Sequence, residues 1–470
     1  MATARYLYEH CKELLNYEGP NPYAAVKPHC FYDKKGNNLD CFLITEKYIT
    51  ANYYVGVDWL IQGKEYVYVA PKINTKAICL FEDESKIEDF KVIHNNRKPK
   101  QIFDKNRDYK ELNYLKMYLD AALHSEIAKH TQGILYVNWN APAIKLEHKE
   151  QDLLTPFLIV QYLNLLKQIV RKGLKKSYYK VTHNLQGRIK GKILVGQNIK
   201  NNIVKNKLTN TICEYHVFGI DIIENRFLKK VLYFVSNYIA SNSVLFHENQ
   251  VTLKNMIAYC SPAFDGVSED CKEDELKTLK TNDFFKEYKE AVDIGKHILK
   301  RFAYTISNTS DGQVTTTPPF WIDMPRLFEL YVYHLLIKSN IHKSEKIKYQ
   351  FGTYGNYLDF LIIDDEYSII IDAKYKLQYK NSKVHQDMRQ VAGYARLNKV
   401  LDDISKRNSN FKRDAILPCL IIYPDPDPNC NIDTSLKIEE LIDDNKAIKA
   451  YHKIYKLGVW VPLINPHGIR

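Results

Sequence analysis

No two cysteines in this chain are spaced as CxxC. Its nine cysteines, at 11, 30, 41, 79, 213, 260, 271, 419 and 430, are scattered. That argues against a structural zinc or disulfide framework and reads as reduced, mostly buried thiols. No apolar run approaches the roughly 18 residues that a membrane span needs. The N-terminal stretch MATARYLYEHCKELLNYEG lacks the apolar core of a signal peptide. The expectation is a cytoplasmic protein with no membrane partner. The motifs GxGxxG, HExxH and GxSxG are also missing. Gly187 to Lys192 is spaced GxxxGK and is followed by Ile193 rather than Ser or Thr, so it is not a phosphate loop. The chain should not be an NTPase.

What is present is globular. The 470 residues are enough for about two to four domains. Hydrophobic residues make up 45% and charged residues 26%, both ordinary for a folded protein. The 35 tyrosines and 19 phenylalanines supply many buried and interface aromatics. A net charge of +12 is compatible with nucleic acid as a partner without establishing it.

The periodicity changes along the chain. Cys41 to Ile44, Ile49 to Val57 and Tyr66 to Ala70 read as strands between polar stretches. Asn95 to Lys110 is basic and polar, a loop or insert. Apolar residues then recur at helical spacing over Gln151–Lys176, Glu224–Ser241 and Thr281–Phe302. Asn308 to Pro319 is polar and ends in two prolines, which marks a boundary. Beyond it a helix over Met324–Lys338 is entered through Asp323 as N-cap, with Pro325 in its first turn. A strand hairpin, a helix over His385–Val400 and a buried strand within Ala415–Tyr423 follow. The fold class is mixed α/β. Three parts are expected: a β-rich domain over 1–120, a mainly helical region over 121–310 and an α/β domain over 311–470.

The chemistry concentrates in that hairpin. Leu358 to Ile363 is an apolar run broken by Asp359, the acids at 364–366 supply a turn, and Ser368 to Tyr375 is a second run carrying Asp372 and Lys374. A buried strand seldom carries charge unless the charge is paired or binds metal. Asp372 and Lys374 are two apart and so share a face. Two carboxylates and a lysine suit metal-assisted phosphodiester cleavage. Carboxylate oxygens hold Mg²⁺, with Mn²⁺ a substitute, and the carbonyl of Ala373 can join them. Lys374 can orient water or neutralise charge developing on phosphate. Glu329 and Gln390, on the flanking helices, can complete the site, although exposed helix faces explain both equally well. His385 is a candidate base, but a lone histidine at a helix start is more often structural. Chance also produces an acid, a gap and acid-x-Lys.

These residues resemble the PD-(D/E)xK nuclease superfamily, and within it the McrC family, the nuclease subunit of McrBC-type modification-dependent restriction systems. The resemblance is carried by Phe320-Trp321-Ile322-Asp323-Met324 with Leu327-Phe328-Glu329, by Asp359 with Asp372-Ala373-Lys374-Tyr375-Lys376, and by Asp387-Met388-Arg389-Gln390 with Tyr394-Ala395. It is also carried by Leu420 to Pro424, Leu185-Gln186-Gly187-Arg188-Ile189, Glu224 to Lys229, and Val67 to Ile73. Leu358 stands where the family often has proline, and Gln186 where it often has arginine. The resemblance implies Asp359 and Asp372 as metal ligands, Lys374 as the catalytic lysine, and Glu329 and Gln390 as supporting residues. It implies a separate McrB-like AAA+ GTPase ring that recognises modified DNA. This chain would bind the ring through its N-terminal β domain, stimulate GTP hydrolysis and cut the DNA. Two other readings stay open: a non-catalytic activator of the ring, and a motor-independent nuclease of the same fold acting in repair or on RNA.

Overall fold

The computed structural model describes residues 2–33, 36–74, 110–146, 154–246, 249–271, 286–307, 316–353, 355–364, 368–376, 383–408, 410–425 and 435–464. The chain divides into two compact units, one of residues 1–153 with 311–470 and the other of residues 154–310. The architecture is mixed α/β.

The first unit holds two five-stranded sheets. In the first sheet, β1 (Thr3–Tyr8), β2 (Tyr54–Ile61), β3 (Glu65–Ala70), β4 (Leu135–Val137) and β5 (Phe320–Asp323) lie in the order β1-β3-β2-β5-β4. β1 runs parallel to β3, and the other neighbours are antiparallel. The strands predicted around Ile49–Val57 prove to be two, Tyr48–Ala51 and β2, separated by a short break. Gly56 shows how closely β2 and β5 pack. A Cβ there would lie 2.0 Å from the Phe320 carbonyl oxygen, so only glycine fits. Trp321 is fully buried in this core and donates from Nε1 to Asp58 at 3.0 Å. One short helix, α1 (Tyr114–Ala122), is capped by the Asn113 side chain.

The second sheet contains β6 (Ile347–Thr353), β7 (Asn356–Ile363), β8 (Ser368–Ala373), β9 (Cys419–Asp425) and β10 (Ile454–Trp460), in chain order. β6, β7 and β8 are antiparallel neighbours, while β8, β9 and β10 run parallel. Helix α2 (Met324–Ser339) begins as expected, with Asp323 Oδ1 accepting from the Arg326 amide at 3.1 Å and Pro325 in the first turn. Its Tyr333 packs on Phe360. On the other face Leu361, Ile363, Ile370 and Ile421 form a core with Met388 and Val391 of α3 (Lys383–Tyr394) and Val400 and Ile404 of α4 (Asn398–Arg407). Helices on both faces explain why these strands read as nearly continuous apolar runs. The helix expected over His385–Val400 is therefore two. α3 ends at Tyr394, and Leu397 is extended (φ −73°, ψ 121°) before α4 starts.

In the second unit the helices Leu154–Lys172 and Ile223–Ser241 match the apolar periodicity to within a few residues; the third, Lys286–Ser307, runs five residues past the expected end, and residues 281–285 lie outside the described residues. That periodicity gives no sign of the sheet beside them. Ser177–Gln186 and Asn210–Gly219 are ten-residue strands paired antiparallel along their length, with Lys192–Ile193 on the far edge of the second. The Ser177–Gln186 strand keeps only Leu185 buried, so apolar patterning could not reveal it. Asn95 to 109 and most of the boundary stretch 308–319 lie outside the described residues. Among the described residues no helix is long and apolar enough to cross a membrane.

Candidate functional site

Asp359 and Asp372 come together because β7 and β8 pair antiparallel. Phe360 pairs with Ile371, and carrying the register one residue further sets Asp359 opposite Asp372. Asp359 Oδ2 accepts from the Ala373 amide at 2.9 Å, which ties the first acid to the backbone beside the second. Asp359 is 8% exposed and Asp372 2%. Lys374 lies two residues on, its amide bonded to the Ile422 carbonyl of β9 at 2.8 Å. Its Nζ sits 2.7 Å from Asp372 Oδ2, off the line of a good hydrogen bond, and donates to Gln390 Oε1 at 3.1 Å. Gln390 in turn donates to the Tyr394 hydroxyl at 2.6 Å. One turn of α3 therefore fixes the reach of the lysine.

The electrostatics follow from that crowding. Burial, and then the charge of Asp359, raise the Asp372 carboxyl to about 7, against the pull of Lys374. Burial opposes a charge on Lys374, but Asp372, Asp359 and Asp387 outweigh it and hold the amine above the usual lysine range. Two carboxylates forced together in a dry site, with one lysine, lack positive charge. A hard cation fits that deficit. The oxygen donors present are the two carboxylates, a small set that suits an ion keeping several waters. Among the described residues no group of three or more His, Cys, Asp or Glu side chains could hold a metal.

Glu329 of α2 is 8% exposed and accepts from Gln350 Nε2 at 3.2 Å. Glu329, Gln350, Gln390, Arg326 and Arg389 line one cleft of about 1640 Å³, and Tyr53 of the N-terminal region forms part of its wall. Gln350 escaped the sequence reading. It has φ +52°, a left-handed backbone that non-glycine residues seldom adopt. It falls between the pairs Tyr349–Phe360 and Phe351–Leu358, across from Asp359. Nothing in the local sequence announces this. Asp387 is 5% exposed and takes the Lys376 ammonium at 2.6 Å and 2.8 Å. His385 does not join the cluster. It is exposed, and its Nδ1 lies 2.8 Å from the Tyr451 hydroxyl.

A family model described as the McrBC 5-methylcytosine restriction system component matches residues 50–402. The chain belongs to that family. This is the family to which the resemblance of the D…DAKYK and LFE segments pointed. Two solved structures are similar to the chain over most of its length. One is a half-complex from a tetradecameric assembly of Thermococcus gammatolerans McrB AAA+ hexamers with bound McrC, 14% identical, covering 97% of this chain and 94% of the other, with a TM-score of 0.36. The other is the Thermococcus gammatolerans McrBC complex, 13% identical, covering 72% and 88%, with a TM-score of 0.27. No curated protein matches the chain.

Proposed function

We propose that this chain is the Mg²⁺-dependent endonuclease subunit of a McrBC-type restriction complex, cutting DNA from a PD-(D/E)xK domain over residues 311–470. One observation carries the reading. Asp359 and Asp372 oppose each other across two buried strands, with Lys374 ion-paired to the second. A structural role for this trio is hard to sustain, because burying two like charges together costs several kcal/mol that an apolar pair would avoid.

Asp359 and Asp372 are the metal ligands, with the Ala373 carbonyl beside them. Bound there, a magnesium ion supplies Lewis-acid polarisation of the phosphodiester and lowers the pKa of an attacking water, and manganese suits the same oxygen donors. The protein does the rest. Lys374, held by Gln390, points its ammonium at the site, where it orients the water and offsets charge growing on the phosphate. Gln390 keeps that amine in one rotamer through its second bond to Tyr394. Glu329 and Gln350 form a polar pair on the cleft wall, where Arg326 and Arg389 can meet phosphates.

The match to the McrBC restriction-system family supports the reading of the partner. The chain lacks a phosphate loop of its own. It works on a McrB-like GTPase ring, which it stimulates through its N-terminal β-rich region and which selects modified DNA. The protein is cytoplasmic in this reading. The test is cleavage of modified, multi-site plasmid with Mg²⁺ and GTP, by wild type and by Asp372→Ala, each with and without the cognate ring. Cleavage only by wild type with the ring is expected. Equal cleavage by the variant sinks the assignment of the site, and strong cleavage without the ring sinks the motor dependence.

A further inference from the structure

The segment that carries Lys374 is gripped from behind by the N-terminal region. Tyr375, the next residue, is 4% exposed and is held three ways. Its hydroxyl donates to Glu9 Oε2 at 2.9 Å. Its carbonyl accepts from Lys72 Nζ at 2.8 Å. Its ring lies under the same ammonium, 4.2 Å from Nζ to the centroid. Glu9 and Lys72 are 0% and 3% exposed, and they are joined through the Lys72 amide, which donates to Glu9 Oε2 at 3.0 Å. Glu9 immediately follows β1 and is tied to the end of β3 through its amide and the Ala70 carbonyl. Lys72 stands two residues past β3. Its ammonium also lies 3.2 Å from His10 Nε2 and 4.8 Å from the ring of Tyr53, a residue of the cleft wall.

Two buried ionisable side chains, one just past β1 and one just past β3, thus converge on Tyr375, two residues past β8. Buried charges of this kind are costly unless they are paired. Packing alone would be better served by apolar residues, so the arrangement calls for a function that needs fixed geometry. Alternate side chains of the segment point to different places: Lys374 to the acids and Gln390, Tyr375 to Glu9, and Lys376 to Asp387.

We propose that Glu9 and Lys72 are positioning residues for phosphodiester cleavage, acting through Tyr375 to fix the strand end from which Lys374 reaches Asp372 and Gln390. The N-terminal region is on this account part of the nuclease site. The inference rests on the nuclease reading and deepens it. A displacement of about 1 Å at a catalytic group can slow a reaction about 100-fold, so a loosened grip should lower kcat far more than it changes KM.

The test uses the full chain assembled with its ring. Tyr375→Phe removes one hydroxyl and keeps the ring, Lys72→Met removes the ammonium, and Glu9→Gln removes the carboxylate charge. Each variant is compared with wild type and with Asp372→Ala for kcat and KM, and for amide hydrogen exchange at Lys374 and Lys376. The expected result is a fall in kcat of about 10- to 100-fold, with KM changed less than about twofold and faster exchange at the two amides. Wild-type kcat together with unchanged exchange overturns the proposal. So does a lowered melting temperature with full kcat below it, which marks a merely structural grip. Tyr375→Phe decides the matter alone if Lys72→Met fails to fold. If Asp372→Ala cuts as wild type does, the nuclease reading falls, and the exchange rates still show whether the grip exists.

Discussion

Lys72 of the N-terminal region and Lys374 of the C-terminal sheet are both lysines set among carboxylates in the interior, and they are driven in opposite directions. Lys72 is wholly enclosed. Burial dominates there, and the charge of Glu9 recovers only part of the loss, so its pKa falls to about 8. Lys374 keeps 19% of its side chain exposed and faces Asp372, Asp359 and Asp387, which outweigh burial and raise it. The difference lies in the number of carboxylates per ammonium and in access to water. A lysine meant to hold a backbone carbonyl can lose much of its affinity for the proton. On the proposed function Lys374 meets a phosphate and must keep its charge, and the acids around it favour the charged form.

The widest separation between the two lysines should come from the acids themselves. Asp359→Ala takes away half of the carboxylate pair and the bond to the Ala373 amide. It should lower cleavage by about 1000-fold or more while the chain still binds its ring, as a rate assay with a pull-down would show. Next, Lys374→Met should lower kcat about 100- to 1000-fold, the scale of removing one charge-stabilising donor. Lys374→Arg should recover only part of this, because a planar guanidinium does not reproduce the ammonium's contact with Gln390. An activity for Lys374→Met within a few fold of wild type would put the two lysines in the same structural role.

Lys72 makes a prediction with the opposite sign in pH. Its folded pKa, about 8, lies below its ordinary value of about 10.5. Between these values the unfolded chain binds more protons, so stability from this group rises with pH across that window and is lost as pH falls toward 8. The raised Lys374 acts the other way, contributing fully below its ordinary value and losing its contribution only at more alkaline pH. Denaturant unfolding at pH 8 and pH 10 should therefore show wild type gaining on Lys72→Met by about 2 kcal/mol. A gap that shrinks with pH would reverse the account of Lys72. Tyr375→Phe should cost about 1–3 kcal/mol, because it leaves the Glu9 carboxylate short of a donor in a dry site. His385→Ala, at an exposed residue bonded to Tyr451, should leave cleavage within about twofold of wild type and stability within about 0.5 kcal/mol.

How much of this could be seen in the sequence depends on how far apart the partners lie. Asp359, Asp372 and Lys374 stood out because charge inside an apolar run is conspicuous and a hairpin brings such neighbours together. Asp323 was legible as a cap because the signal is local, Asp-Met-Pro before an apolar helix. The grip on Tyr375 was not, since its partners are separated by 303 and 366 positions and each looks ordinary where it stands. Gln350 was hidden for another reason. Its place in the cleft goes with a backbone angle and not with its sequence neighbours. The strands at Ser177–Gln186 and Asn210–Gly219 were hidden by their exposure, which leaves little apolar alternation to read. The helix expected through Val400 ran past its end because Leu397 and Val400 keep helical spacing across a break that only the backbone shows.

The most direct measurement is single-turnover cleavage of modified DNA by Asp372→Asn in the assembled complex. The substitution keeps the shape of the side chain and removes its charge. The account predicts intact folding and ring binding with cleavage lowered about 1000-fold or more. Cleavage at the wild-type rate would contradict it, and the opposed pair of Asp359 and Asp372 would then not be the site of the chemistry.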